Sequence, residues 1–291
     1  MITDLYKSRS YLGCLSASYI FICNNIFSIF KKTALWAALV SVVVATYCFV
    51  GANAVEIFSA GNNWTHTFYA LVIMALAFVL YARVKASLVS ILNAEDVAKN
   101  FRKTLIVNGV AILVYLFVLI VTTFLLQRMS SSLFASKTSE CALYAGLLLS
   151  SLLLISLAAT PLLYSMTKYI LETDAKINVV WKSYRDGLRH LGYVYCLCII
   201  LALLVVLSTI FLAIPAIVTV MASNVDSYGV SNGDLSGLPG IFPWLNGFAI
   251  FLLIFIMTYV FIFIDLALCY AYGHVEVDLQ LKEKITTQRK E

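Results

Sequence analysis

The sequence predicts an all-α protein, a polytopic transmembrane helix bundle of six spans arranged as three hairpins, each preceded by a basic amphipathic element. Composition is the first observation that predicts this class. Of the 291 residues, 62% are hydrophobic and 12% are charged, whereas soluble domains carry about 25% charged residues. The second observation is a series of apolar runs long enough to cross a bilayer. The third is the uneven placement of basic residues between those runs.

The basic residues predict an orientation. Of the 20 lysines and arginines, only Arg128 and Lys137 fall on one side of the predicted topology. Cytoplasmic loops collect Lys and Arg, so we predict that the basic side, with both termini, is cytoplasmic and that the membrane is a bacterial inner membrane. Basic clusters beside a membrane attract anionic lipid head groups. We therefore expect lipid, and not nucleic acid, as the partner of this charge.

Residues 1–32 precede the first predicted span. Their apolar run from Leu12 to Cys23 is interrupted by Asn24 and Asn25, and no small-residue cleavage site of the kind found in signal peptides follows. Basic residues flank both ends of the run, so a crossing would carry one basic pair to the wrong side. We therefore favour an amphipathic helix in the cytoplasmic interface over a membrane span.

A membrane domain of six spans is predicted over residues 33–273. The spans are placed at about Thr33–Val50, Thr67–Ala82, Thr104–Gln127, Ala142–Lys168, Leu191–Ile214 and Trp244–Tyr272. Pro161 lies within the fourth span and Pro215 follows the fifth, and the missing backbone donor of each predicts a kink or a helix end. Both prolines are candidate hinges. Residues 274–291 are predicted to form a polar cytoplasmic tail.

A short motif recurs where each hairpin begins. It reads Ile29–Leu35 in the first copy and Asn100–Ile106 in the second, with a degraded third copy at Gly187–Tyr193. We predict an internal repeat, an arrangement found in some transporters and bundles. The basic residues of these elements are the candidate binding residues for lipid or a protein partner: Lys31, Lys32, Arg102, Lys103, Lys182, Arg185 and Arg189.

The basic element of the third hairpin has the clearest helical pattern. Apolar residues recur there at spacings of three and four, which places them on one helix face: Ile177, Val180, Trp181, Tyr184 and Leu188. Two interpretations stay open for this element. It is either an interfacial amphipathic helix or a cytoplasmic helix packed under the bundle.

Polar residues inside the predicted spans are few. Asp265, Asn108 and Asn246 form the candidate intramembrane polar site, since such residues are costly in a membrane and often functional. From Trp244 to Asp265 the helix rises about 31 Å, close to the thickness of the hydrocarbon layer. Asp265 therefore lies at the inner interface or, if the span is set deeper, in the core of the membrane.

The sequence carries none of the common signatures of catalysis. It has no P-loop, no dinucleotide-binding fingerprint and no zinc-protease motif. His274, Glu276 and Asp278 alternate, and His274 and Asp278 are spaced to bind a metal on one helix face, but nothing else supplies further ligands. His66 and His190 are isolated and have no visible carboxylate partner. The seven cysteines do not form a disulfide framework. We predict no catalytic residues, no metal and no cofactor.

The segment Trp181-Lys182-Ser183-Tyr184-Arg185-Asp186-Gly187-Leu188, together with the Phe-basic-Lys-Thr copies, resembles a group of six-span bacterial membrane proteins of unknown function. The group includes membrane domains fused to glycerophosphodiester phosphodiesterases. The resemblance implies a membrane domain in which basic amphipathic elements alternate with hairpins. It does not extend to the phosphodiesterase catalytic domain, so it implies no enzymatic activity.

Three functions are compatible with these patterns. The favoured hypothesis is a non-enzymatic scaffold or accessory subunit that binds lipid, a protein partner or a second copy of itself through its basic elements. The alternative is a small transporter or permease with a path between the three hairpins, against which stands the scarcity of polar residues in the spans. An intramembrane enzyme is the least favoured.

Overall fold

The structure is a computed structural model that describes residues 5–57, 63–134, 138–173, 175–233 and 237–288. Every secondary-structure element in these ranges is a helix, which confirms the predicted all-α class. The helices in chain order are α1 (Tyr11–Ile57), α2 (Asn63–Asn93), α3 (Val97–Phe134), α4 (Thr138–Leu171), α5 (Asn178–Arg189), α6 (Leu191–Ser231) and α7 (Phe242–Gln288).

Six of these helices are long and apolar enough to cross a membrane. All six carry an apolar window of at least 18 residues, close to the roughly 20 residues that a bilayer requires. The short helix α5, with 12 residues, is the exception. This pattern confirms a polytopic helical membrane protein. Lys137 lies outside the described residues.

Helix α1 joins two segments that the sequence analysis treated separately. It runs from Tyr11 to Ile57 and bends at Asn25, whose φ of −121° and ψ of 17° are not helical. The Asn25 side-chain amide donates to the Phe21 carbonyl at 2.9 Å, a local bond that competes with the regular helical pattern. The residues before the kink therefore continue into the first span. Their placement in the membrane interface stays a prediction.

The two candidate hinge prolines do not interrupt their helices. Helix α4 continues through Pro161, and α6 continues past Pro215 to Ser231. Of the two outcomes expected at Pro215, the helix end is therefore wrong, and the kink stays a prediction. Beyond Pro215 the chain is apolar, and the Thr219 hydroxyl bonds back to the Pro215 carbonyl at 3.1 Å, so nothing local favours a stop. A hinge role for either proline stays a prediction.

The repeated motif has the same local geometry in its first two copies. Thr33 and Thr104 are both fully buried. Each bonds back one turn, Thr33 to the Ile29 carbonyl at 2.8 Å and Thr104 to the Asn100 carbonyl at 3.0 Å. The third copy crosses the junction of α5 and α6 and has no threonine at this position. An internal repeat therefore stays a prediction.

The chain divides into two compact units. Unit 1 comprises Met1–Ala17, Leu92–Ile199 and Ala267–Glu291, and unit 2 comprises Ser18–Ile91 and Ile200–Leu266. In unit 1, α3 packs against α4 and α4 packs against α5. Buried residues of unit 1 include Tyr164, Leu197 and Tyr272, whereas buried residues of unit 2 include Leu88 and Ile262. The candidate functional residues are described unit by unit below. The boundaries predicted after residues 32 and 273 stay predictions.

Candidate functional site

Asp265 lies in unit 2 and is part of an ion pair. One carboxylate oxygen is 2.5 Å from the Lys85 ammonium, and the other accepts the Tyr81 hydroxyl proton at 2.9 Å. Tyr81 and Lys85 are four residues apart on α2 and so share a face. The Lys85 and Asp265 side chains are only 18% and 12% exposed. A mostly buried carboxylate with both oxygens occupied is stable in a spanning helix, because its charge is compensated.

Of the other two predicted polar residues, only Asn246 shares unit 2 with Asp265. Asn246 accepts the Thr219 hydroxyl proton at 3.0 Å. It lies 19 residues from Asp265 on α7, a separation of about 28 Å along a helix. Asn108 belongs to unit 1, where it is buried. Its side-chain nitrogen has no hydrogen-bond partner within the described part of the chain. Asn246 and Asp265 therefore do not form a single site, and a functional role for Asn108 stays a prediction.

Helix α5 in unit 1 is held by its two smallest residues. Ser183 and Gly187, one turn apart, are buried. A Cβ on Gly187 would lie 3.0 Å from the Cα and the carbonyl oxygen of Pro161, which is tighter than an ordinary contact, so glycine favours this close approach to α4. The Tyr184 hydroxyl adds a bond to the Ala158 carbonyl at 3.2 Å. These contacts fix which side of α5 faces the bundle.

A second side of α5, about 120° around the helix from Ser183 and Gly187, carries an exposed apolar stripe. Trp181 is 76% exposed, Ile177 51% and Leu188 48%. Their spacings of four and seven residues place them within about one helix face. When several large apolar side chains are this exposed along one helix face, they mark a surface that contacts a partner or a membrane.

A basic stripe runs beside the apolar one. Lys182, Arg185 and Arg189 are all exposed and follow one another at spacings of three and four residues. Arg189 is 59% exposed on its side chain although it lies 3.7 Å from Asp186. A helix with an apolar stripe flanked by Lys and Arg has the pattern of a helix that lies in a membrane interface. The "α5 surface" below means these three basic residues with Ile177, Trp181 and Leu188.

The remaining predicted basic residues differ in their surroundings. Lys31 and Lys32 on α1 and Arg102 on α3 are exposed. Lys103 is 6% exposed. Its ammonium donates to the carbonyls of Glu172 and Thr173, just after α4 ends. Lys103 thus satisfies carbonyl groups at the end of α4, and we leave it out of the proposed lipid-binding set.

A polar cluster that the sequence analysis missed lies on the second half of α7. Glu276 accepts the Tyr164 hydroxyl proton and a proton of the Lys168 ammonium, both at 2.7 Å on the same oxygen. Lys168 also lies 3.7 Å from Glu172. Tyr164 and Tyr272 are each 3% exposed, and their ring centres lie 5.8 Å apart with the ring planes tilted by 41°. These contacts tie α4 to α7 within unit 1.

His190 has a carboxylate partner, contrary to the sequence analysis. Its Nε2 lies 2.9 Å from Asp278, which also accepts from the Lys282 ammonium at 2.7 Å. His274, the other member of the suggested metal pair, accepts a backbone N–H from Arg9 at 3.2 Å. No group of three or more metal-ligating side chains occurs within the described ranges. The only signal in the sequence was the alternation of His274, Glu276 and Asp278.

No family model, curated protein or solved structure matches the chain. The resemblance to six-span bacterial membrane proteins therefore stays a prediction.

Proposed function

We propose that this protein is a non-enzymatic membrane scaffold or accessory subunit that binds anionic lipid head groups through the α5 surface. The observation that carries the proposal is the orientation of α5. Because Ser183 and Gly187 seat the helix on α4, its apolar and basic stripes both face outward. This orientation favours an interfacial helix over a helix packed under the bundle.

The apolar and the basic stripe of the α5 surface both suit contact with a lipid surface. Trp181 has an apolar ring and one N–H group, which suits the boundary between acyl chains and head groups. Lys182, Arg185 and Arg189 place three positive charges in the adjacent row. Each basic residue near an anionic leaflet contributes about 1 kcal/mol, so the three together amount to roughly a hundredfold in affinity.

The proposed location is a bacterial inner membrane with α5 and both termini on the cytoplasmic side. Six candidate spans support a multi-pass protein. The orientation is supported by the concentration of basic residues on the α5 side, which follows the positive-inside pattern. Labelling of cysteines introduced at residues 95 and 232 tests this orientation. Residue 95 is expected to react only from the inside and residue 232 only from the outside; the reverse pattern would overturn the orientation.

The direct test of the proposal is native mass spectrometry of protein purified gently from its membrane, followed by titration with phosphatidylglycerol. The variant Lys182→Gln/Arg185→Gln/Arg189→Gln is expected to retain far less anionic lipid than the wild type. The matched control is Lys99→Gln/Arg128→Gln/Lys284→Gln, which removes the same charge from exposed positions elsewhere. Equal lipid retention by the two variants contradicts the proposal.

The same measurement distinguishes lipid from a protein partner. The wild type could instead retain a stoichiometric second protein, or a second copy of this chain, that the α5 variant loses. In that case the scaffold role stands, but the α5 surface binds protein and not lipid. Retained lipid with no protein supports the proposal as stated. If both variants still bind the partner, the α5 surface is not the part of the protein that binds it.

A transporter is the alternative that a specific observation favours. The pair of Lys85 and Asp265 is a mostly buried ion pair within helices that are candidate spans, and such pairs occur in proton and ion pathways. If this pair couples transport, Asp265→Asn abolishes an ion-driven flux in proteoliposomes. If wild type and variant carry the same flux, Asp265 has no part in transport.

A further inference from the structure

Within unit 1, the N-terminal segment Leu5–Cys14 docks against α6 and α7; we call it the N-terminal latch. Its first contact is unusually close. A Cβ on Gly273 would overlap the Leu5 carbonyl oxygen, so only glycine at this position of α7 admits the segment. Beside it, the ring of Tyr6 packs edge-on against that of Tyr272 at 6.1 Å. Glycine in a helix interior costs stability relative to alanine, and here its absence of a side chain accommodates the latch.

Arg9 is the centre of the latch, and three of its groups are engaged. Its backbone N–H donates to His274 Nδ1 at 3.2 Å. Its carbonyl accepts the Tyr193 hydroxyl proton at 3.0 Å. Its guanidinium lies 4.9 Å from the centre of the Tyr270 ring, within the range of a cation–π contact.

The latch continues along α6. Tyr11 stacks on Tyr193 with the ring centres 4.9 Å apart. The Cys14 sulfur is fully buried and lies 3.2 Å from the Tyr193 oxygen. Since the Tyr193 proton is directed to the Arg9 carbonyl, the Cys14 thiol is the donor in this second bond. Tyr193 therefore holds two points of the latch at once.

His274 makes the latch sensitive to proton concentration. An imidazole nitrogen accepts a hydrogen bond only when it carries no proton. The bond from the Arg9 N–H therefore requires neutral Nδ1, and protonation there turns an acceptor into a second donor facing the first. The contact exists at pH values above the range in which His274 gains its proton, and it is lost as the pH falls through that range. Imidazoles change charge between about pH 5 and 8.

Charged and titratable groups surround His274 on each neighbouring element. The latch contributes Arg9, whose positive charge opposes a second one. Helix α6 contributes Tyr193, whose ring lies 4.3 Å from the His274 ring. Helix α7 contributes Tyr270 and Asp278, each one turn away, and His190 lies beside Asp278. Asp278 is shared by His190 and Lys282, so its charge is not reserved for His274.

We propose that the N-terminal latch is an acid-released contact, closed while His274 is neutral and opened when His274 is protonated. Opening uncovers Cys14 and Tyr193 and detaches Arg9 from Tyr270. Tyr193 lies four residues after Arg189, the last residue of α5. Release of the latch therefore frees the positive charge of Arg9 in unit 1, the unit that also carries the α5 surface. The latch rests on observations independent of lipid binding by α5.

Hydrogen–deuterium exchange of peptides covering residues 5–14, corrected for the intrinsic effect of pH, tests the latch in lipid nanodiscs. We expect protection of these amides to fall at least about tenfold between about pH 8 and pH 5. His274→Asn places an amide oxygen close to the position of Nδ1 and does not titrate. This variant is expected to stay protected at both pH values.

Gly273→Ala is the second variant and is expected to be unprotected at both pH values, because its methyl group displaces the Leu5 carbonyl. Alanine favours helix, so α7 itself is retained. Gly192→Ala is the matched control, since a Cβ there meets nothing within 4 Å. A wild type that is equally protected at both pH values overturns the proposal. So does an acid response that persists unchanged in His274→Asn.

Discussion

Gly187 of α5 lies directly against Pro161 of α4, and an added Cβ would lie only 3.0 Å from the proline backbone. Pro161 is fully buried, and its rigid ring presents a fixed surface. The pair sets the rotation of α5 about its own axis. All that we propose for the α5 surface depends on this rotation, because turning the helix by half would bury Trp181 and expose Ser183.

Gly187→Ala is expected to destabilise unit 1 by about 1–3 kcal/mol, the usual cost of forcing extra volume into a packed contact. Thermal unfolding in detergent, followed by loss of monodisperse protein, measures the change. Gly192→Ala, at a position of α6 where an added Cβ meets no other atom within 4 Å, should be neutral or slightly stabilising because alanine favours helix. Equal midpoints for the two variants would mean that Pro161 does not seat α5.

Lys103 and Arg102 are adjacent basic residues with different expected roles. Lys103→Met removes the donor to the Glu172 and Thr173 carbonyls, and the loss is expected to cost about 1–3 kcal/mol of unfolding free energy. Arg102→Met removes an exposed charge and should leave stability nearly unchanged. Titration with SDS compares the two. Greater sensitivity of Arg102→Met would contradict the assignment of Lys103 to the end of α4.

Tyr164→Phe removes the hydroxyl that donates to Glu276 at 2.7 Å. A hydrogen bond to a charged group contributes about 1.5–3 kcal/mol, so a clear fall in the unfolding midpoint is expected. Tyr195→Phe is the matched control, because that hydroxyl has only a 3.4 Å contact with Ser156 at an exposed position. If both variants unfold at the wild-type midpoint, the cluster around Glu276 does not stabilise unit 1.

Asp265→Asn leaves the Lys85 ammonium mostly buried without a carboxylate. Breaking a buried ion pair from one side costs about 3–5 kcal/mol. The double variant Asp265→Asn/Lys85→Met, which removes both charges, is expected to recover most of the loss. A double-mutant cycle in detergent measures the coupling. Additive effects of the two substitutions would show that the pair is not coupled in the folded protein.

The sequence predicted the parts of the fold that depend on local composition. Apolar run length alone located the six candidate spans, and the interruption of the first run by Asn25 coincides with the kink in α1. The spacing of Ile177, Val180, Trp181, Tyr184 and Leu188 predicted one apolar face on α5, of which Val180 and Tyr184 are half-buried. Gly187 could not be recognised as the packing contact, since its partner Pro161 lies on a different helix.

Contacts between distant residues had no local signal. His190 and Asp278 are 88 residues apart in sequence, and Arg9 and His274 are 265 apart, so neither pair leaves a spacing that a sequence pattern reveals. Lys103 had the same appearance as Arg102 in sequence. Its burial depends on the position of the end of α4, which only the tertiary packing determines.

The central claim is that the α5 surface lies in an anionic membrane interface, and the depth of Trp181 tests it most directly. In nanodiscs containing brominated phosphatidylglycerol, the emission of Trp181 is obtained as the difference between wild type and Trp181→Phe. We predict that brominated lipid quenches this difference emission and that aqueous iodide quenches it little. Emission that is quenched by iodide and unaffected by brominated lipid would contradict the proposed function.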